Sequence, residues 1–176
     1  MEVILIRHTR VAVPKGTCYG QTDVALAPTF PEEAAETKRQ LEPYMPFDAV
    51  YSSPLSRARR LAAFCGYPSP LTDNRLMEMS MGEWEMRRYD DIRDPRLDAW
   101  YKDYMRLPTP GGESFPMLYR RVADFLDEVR AKDYRRISVF AHGGVLICAG
   151  IYGGLFDEER AWEHLTDYGG IERIEI

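Results

Sequence analysis

Met1-Glu-Val-Ile-Leu-Ile-Arg-His-Thr-Arg10 opens the chain, an apolar run that stops abruptly on four polar residues. Val3 to Ile6 show no alternation of polar and apolar side chains, the pattern of a strand buried on both faces inside a parallel sheet. Such a strand carries its last residues to the carboxyl edge, where open α/β sheets bind ligands. Arg7 and His8 are therefore expected at that edge, a permanent cation beside a candidate nucleophile. Two further stretches repeat the pattern of apolar strand, turn and basic or imidazole group: Asp48-Ala-Val-Tyr-Ser-Ser-Pro-Leu-Ser-Arg57 and Arg136-Ile-Ser-Val-Phe-Ala-His-Gly-Gly144. If the three strands are parallel neighbours, Arg7, His8, Arg57 and His142 converge on one point suited to an anion. A lone Arg-His pair would be surface decoration; it is the recurrence that argues for a site.

At 176 residues the chain is most simply one domain, residues 1–176, long enough to bury about 70% of the surface its unfolded form exposes. No apolar stretch reaches the length of a membrane span, and the amino end lacks the basic flank and cleavage site of a signal peptide, so the cytoplasm is the expected location. Cys18, Cys65 and Cys148 are odd in number and widely spaced, which argues against a disulfide framework. None precedes an arginine by six positions, as a cysteine phosphatase loop requires. Cys65 and Cys148 are expected in the core. The net charge of −5 disfavours nucleic acid as a partner, because backbone binding needs a surplus of lysine and arginine. A cationic pocket in an acidic protein suits a small, highly charged anion. No feature of the sequence sets an oligomeric state.

The remaining elements follow in order. A loop from Val11 to Pro31 is too long for an ordinary connection and is expected to be functional. Within it, Tyr19 and Gln21 offer hydrogen bonds and Gly20 permits close backbone approach. A helix is expected over Pro31 to Leu41, with proline in its first turn and acids before bases. Ala49 to Tyr51 read as a short strand, followed by a helix capped by Ser53 with Pro54 at its first position, which puts Arg57 one turn inside. Leu71 to Leu76 form a connector or short strand, and loose helical patterning runs from Tyr89 to Met105. Phe115, Leu118, Tyr119, Val122, Phe125, Leu126 and Val129 mark an amphipathic helix. Ile137 to Ala141 are a buried strand, Gly143-Gly144 a sharp turn into a helix over Val145 to Tyr152, and Ile171 to Ile176 a last strand. The expected class is α/β: a three-layer sandwich, its central sheet mainly parallel, with helices on both faces.

Leu5-Ile-Arg-His-Thr9, Ser52-Ser-Pro-Leu-Ser-Arg-Ala58, Glu78-Met-Ser-Met-Gly-Glu-Trp-Glu85, Pro110-Gly-Gly-Glu-Ser114 and Ala141-His-Gly-Gly144 together resemble the histidine phosphatase superfamily, also called phosphoglycerate mutase-like. Gly16-Thr-Cys-Tyr-Gly-Gln-Thr-Asp23 is similar to the α-ribazole phosphatase branch of cobalamin biosynthesis. The resemblance implies a metal-independent phosphomonoesterase with no cofactor, acting on a small phosphorylated metabolite. It makes His8 the nucleophile, Arg7, Arg57 and His142 the groups that hold the phosphoryl oxygens, and Glu78 the proton donor. Service as an acid at neutral pH asks for a raised pKa, which crowding by phosphate would supply. Glu83 and Glu85 are rivals for that role on composition alone. Thr9, Tyr19, Gln21 and Gly143 complete the expected substrate contacts.

The chemistry fits those residues independently. A phosphomonoester dianion repels nucleophiles, so cationic donors must spread over its non-bridging oxygens. Planar guanidiniums do so well, a deprotonated imidazole attacks phosphorus, and His142 is most useful when protonated. The chain departs from the family pattern at Met86, where glycine is usual after Trp-Glu, at Leu61, where threonine is frequent, and around Pro14, where mutases carry asparagine. The last departure, and the modest length between Glu78 and Gly111, point away from a mutase. A non-catalytic phosphate-binding module and a metal hydrolase are the alternatives from other classes. Against the second, no two of the three histidines have zinc-site spacing. His164 is expected to be structural or on the surface, as are Arg59 and Arg60. Trp84, Trp100 and Tyr104 are candidates for a pocket wall or for the core.

Overall fold

The computed structural model describes residues 1–176. Strand β1 (Glu2–Arg7) is the run that opens the chain, and helix α1 (Phe30–Leu41) follows the long loop. Then come β2 (Ala49–Ser52), α2 (Ser56–Phe64), β3 (Leu71–Thr72) and a short α3 (Arg96–Lys102). The chain ends through α4 (Phe115–Arg130), β4 (Arg136–Ala141), α5 (Gly143–Tyr152) and β5 (Ile171–Glu175). The strands form one sheet in the order β3-β2-β4-β1-β5. β2, β4 and β1 are parallel neighbours, as the recurring pattern requires, while β5 runs antiparallel along β1 and covers that edge.

Period-two alternation sorts the strand side chains into two cores. Val3, Leu5, Tyr51, Ile137 and Val139 meet the apolar faces of α4 and α5 on one side. Ile4, Ile6 and Phe140 meet Ala34 and Leu41 of α1 and Ala58, Leu61 and Ala62 of α2 on the other. This is the expected three-layer sandwich. Cys65 and Cys148 lie in these cores, and Cys18 is buried in a third cluster with Met81, Trp84, Ile92 and Leu97. No helix is long and apolar enough to cross a membrane.

Three local expectations need correction. Helix α2 starts at Ser56, later than Pro54, and Ser53 does not cap it in the expected way; the Ser56 N–H and hydroxyl both bond Asp23, from the long loop, at 3.0 and 2.8 Å. A non-local carboxylate replaced the local serine as the cap, which a pattern of neighbours does not reveal. The loose helix over 89–105 shrinks to α3 and a 3₁₀ turn at Tyr89–Asp91, because Asp94-Pro95 interrupts it and its aromatics face a cavity. Gly143 and Gly144 form the first turn of α5 itself. A Cβ on Gly144 would lie 2.4 Å from Glu78 Oε1, and one on Gly143 would lie 2.8 Å from Leu165, so close packing fixes both glycines.

Candidate active site

β1 and β4 end side by side, and the residues after them, His8 and His142, have ring centroids 5.2 Å apart. Both are buried, at 3% and 0% exposure. His8 Nδ1 lies 2.7 Å from the Thr9 carbonyl, which only accepts, so Nδ1 carries the proton and Nε2 the lone pair. Burial, the Arg57 charge and then Arg7 outweigh that hydrogen bond and push the His8 pKa down to about 3. His8 is thus a neutral imidazole with a free nitrogen, the state that a nucleophile needs.

His142 is held by two side chains. Arg57 Nε donates to its Nδ1 at 3.3 Å, so Nε2 holds the proton and donates to Ser53 Oγ at 2.7 Å. Burial above all, then His8 and Arg57, hold its pKa well below the ordinary imidazole value. These neighbours favour the neutral ring, and a phosphate dianion brought between the arginines would act in the opposite sense.

Arg57 is fully buried at the start of α2. Its Nη1 and Nη2 donate to the carbonyls of Thr22 and Gly20 at 3.0 and 2.6 Å, which ties the long loop to the sheet edge. With Nε on His142, three of its five N–H groups are committed and two remain. Arg7 donates from Nη1 to the Thr166 carbonyl at 2.6 Å and lies 4.0 Å above the Tyr168 ring, while its Nε is buried without a partner. Thr9 Oγ1 is likewise buried and unpartnered. Unsatisfied buried donors are rare, and Arg7 Nε, beside Gly143 at the cavity, marks where an acceptor belongs, whereas Thr9 does not line the cavity.

Glu78 reaches the same edge from the irregular segment after the 3₁₀ turn at Asn74–Leu76. Its Oε1 accepts from the Met79 N–H at 2.8 Å and Oε2 from the Gly144 N–H, in the first turn of α5, at 3.2 Å. Its rivals are placed elsewhere. Glu85 accepts from the N–H groups of Gln21, Thr22 and Met81 and from the Thr22 hydroxyl, and despite burial these bonds lower its pKa. Glu83 is on the surface, 66% exposed, against Arg96.

A cavity of about 630 Å³ opens beside this cluster. Arg7, His8, Glu78, Gly143 and Gly144 form its floor, and Tyr19, Trp100, Tyr104, Phe115 and Trp162 stand among its walls. Trp84 belongs to the core. Tyr19 lines the cavity with its hydroxyl 3.0 Å from that of Tyr168. Gln21 does not line it; its side-chain amide donates to the Glu78 carbonyl at 3.0 Å. His164 stacks on Phe156 at 4.5 Å, away from the cavity. Patterning assigns no role of its own to Tyr168, Trp162, Glu113 or Arg121, although Arg121 sits three residues after Leu118 and four before Phe125, a charge within the apolar spacing of α4.

The family described as Histidine phosphatase superfamily (branch 1) matches residues 3–176. A candidate phosphoserine phosphatase 2 from Hydrogenobacter thermophilus is 30% identical over 99% of this chain and 89% of its own length. An adenosylcobalamin/alpha-ribazole phosphatase from Escherichia coli is 29% identical over 100% of this chain and 90% of its own. The solved alpha-ribazole phosphatase of Shigella flexneri superposes with a TM-score of 0.89 at 27% identity, covering 100% of this chain and 91% of that one.

Proposed function

Because the chain belongs to the histidine phosphatase superfamily and is a phosphatase of that family, we propose that it cleaves phosphate monoesters through a phosphohistidine on His8, and that α-ribazole 5′-phosphate is its substrate. Arg7 and Arg57 hold the non-bridging oxygens, with the unpartnered Arg7 Nε as a further donor. His8 Nε2 attacks phosphorus as the ester P–O bond breaks, and Glu78 gives its proton to the leaving oxygen. Water then attacks the phosphohistidine, Glu78 takes a proton back, and the N–P bond breaks to release inorganic phosphate. His142 holds Arg57 in place through Nδ1 until the dianion's charge draws a proton to that nitrogen, whereupon the new N–H releases Arg57 Nε and donates to a phosphoryl oxygen while Nε2 stays on Ser53.

The observation that carries the substrate reading is the aromatic wall. Phosphoserine and phosphoglycerate offer only small polar groups, whereas the benzimidazole of α-ribazole presents a flat apolar surface for Tyr19, Trp100, Tyr104 and Trp162. The loop over 16–23, which resembles that branch, supports the same choice. Comparing kcat/KM for α-ribazole 5′-phosphate, O-phosphoserine and 3-phosphoglycerate tests it. α-Ribazole 5′-phosphate should lead, and Trp162→Ala should lower its value about tenfold, the loss of roughly 1.4 kcal/mol of ring contact, while leaving phosphoserine unchanged. A first rank for phosphoserine would reassign the substrate. Failure to trap acid-labile phosphate on His8 would remove the covalent step.

A further inference from the structure

Glu78 sits on a segment that no sheet ladder or helix holds: residues 78–81 have no regular secondary structure. Side chains hold it instead, and one guanidinium makes the most contacts. Arg121 of α4 donates from Nη1 to the carbonyls of Arg75 and Met77, both at 2.6 Å, and from Nη2 to the Glu78 carbonyl at 2.9 Å. Its Nε and Nη2 also form a two-pronged ion pair with Glu113, at 2.8 and 2.9 Å. Glu113 in turn accepts from the Ser80 N–H at 2.8 Å, and its own N–H donates to the Ser80 carbonyl at 2.9 Å. The backbone is thus tied at residues 75, 77, 78 and 80, on both sides of the candidate acid, to a single pair of side chains about four-fifths buried. Gln21 grips the Glu78 carbonyl from the opposite side.

We infer that Arg121 and Glu113 are positioning residues for proton transfer: they fix the irregular 75–80 segment against the rigid helix α4, so that the Glu78 carboxyl meets the leaving oxygen. This rests on the assignment of Glu78 as the acid. The physical argument is geometric. Proton donation needs heavy atoms within hydrogen-bond reach, and a displacement of about 1 Å can cost on the order of a hundredfold. A coil segment with its carbonyls released has several conformations available at that scale. Lysine cannot replace the arginine, because an ammonium lacks the planar fork that faces a carboxylate and three carbonyls at once.

The test exploits the leaving group. p-Nitrophenolate departs without a proton, whereas an alkoxide requires one, so only the second reaction senses where the acid stands. We expect Arg121→Lys and Glu113→Gln each to keep kcat/KM for p-nitrophenyl phosphate within about threefold and to lose about thirty- to a hundredfold on benzyl phosphate. Adding Glu78→Gln to either variant should cost nothing more on benzyl phosphate than Glu78→Gln alone, because both act through one group. A staple with a purely structural role predicts equal proportional losses on the two substrates, and that result overturns the inference, as does full retention of both activities. Glu78→Gln by itself separates the two levels. If it spares benzyl phosphate, the acid assignment fails; if it is selective while Arg121→Lys and Glu113→Gln are not, only the positioning role fails.

Discussion

Met86 is the residue whose backbone disagrees most plainly with its side chain. It has a φ of +62°, the left-handed region, at the position where the family resemblance calls for glycine. Its N–H donates to the Cys18 carbonyl at 2.7 Å, which joins the Trp84-Glu85 turn to the long loop and so enforces the conformation. An L-residue there costs roughly 1–2 kcal/mol, and glycine returns roughly 0.5–1 kcal/mol of that as chain entropy in the unfolded state. Met86→Gly should therefore stabilise the protein by about 0.5–1 kcal/mol and raise Tm by about 1–4 °C. The side chain is 48% exposed, so little packing is lost. Calorimetry decides the matter, and a lower Tm would mean that Met86 makes contacts worth more than its strain. The departure at Leu61 has the opposite character: that side chain is fully buried between α2 and the sheet, an apolar solution to a packing position.

At the scale of elements, the connection between the long loop and α2 explains what sequence patterning could and could not show. Strands β1, β2 and β4 were readable because burial on both faces leaves an uninterrupted apolar run, and α4 because one buried face leaves a 3.6-residue repeat. Helix α2 was readable but its start was not, since its cap comes from Asp23, thirty-three residues earlier than Ser56. The same loop supplies the Gly20 and Thr22 carbonyls that hold Arg57. One carboxylate therefore couples helix stability to the position of a candidate phosphate ligand. Asp23→Ala should cost about 1 kcal/mol, the usual value of a cap, and lower Tm by about 2–4 °C. It should also raise KM for any phosphate monoester, by loosening the loop beneath Arg57. Loss of stability with an unchanged KM would show that the Arg57 cradle is held without Asp23.

At the scale of the molecule, the sequence carried the parallel edge and the convergence of Arg7, His8, Arg57 and His142, because each is the end of its own strand or the start of its own helix. It carried the cavity only in part: Tyr19, Trp100 and Tyr104 were candidates for it, whereas Phe115 read as a core position of its helix and Trp162 had no reading, and only the finished fold brings these segments together. It did not carry the protonation states, which depend on burial beneath those segments. His8 and His142 are both buried as neutral rings, with pKa values depressed by desolvation and by the arginines, His8 to about 3. In the unfolded chain each titrates near 6.5. The depressed values mean that the native state binds fewer protons than the unfolded state below that pH, so stability is full above about 6.5 and declines as pH falls. By pH 5 His8 should have cost about 2 kcal/mol, and His142 adds to the loss in the same direction. Glu172, pushed up by burial, contributes in the opposite sense. The histidine share is therefore obtained by difference. Unfolding free energies from urea titrations between pH 7 and 5 should fall more steeply for the native chain than for His142→Asn, so that the two curves draw together as pH falls. Parallel curves would mean that His142 takes up its proton in the folded protein as readily as in the unfolded chain, and that burial and Arg57 do not hold it off.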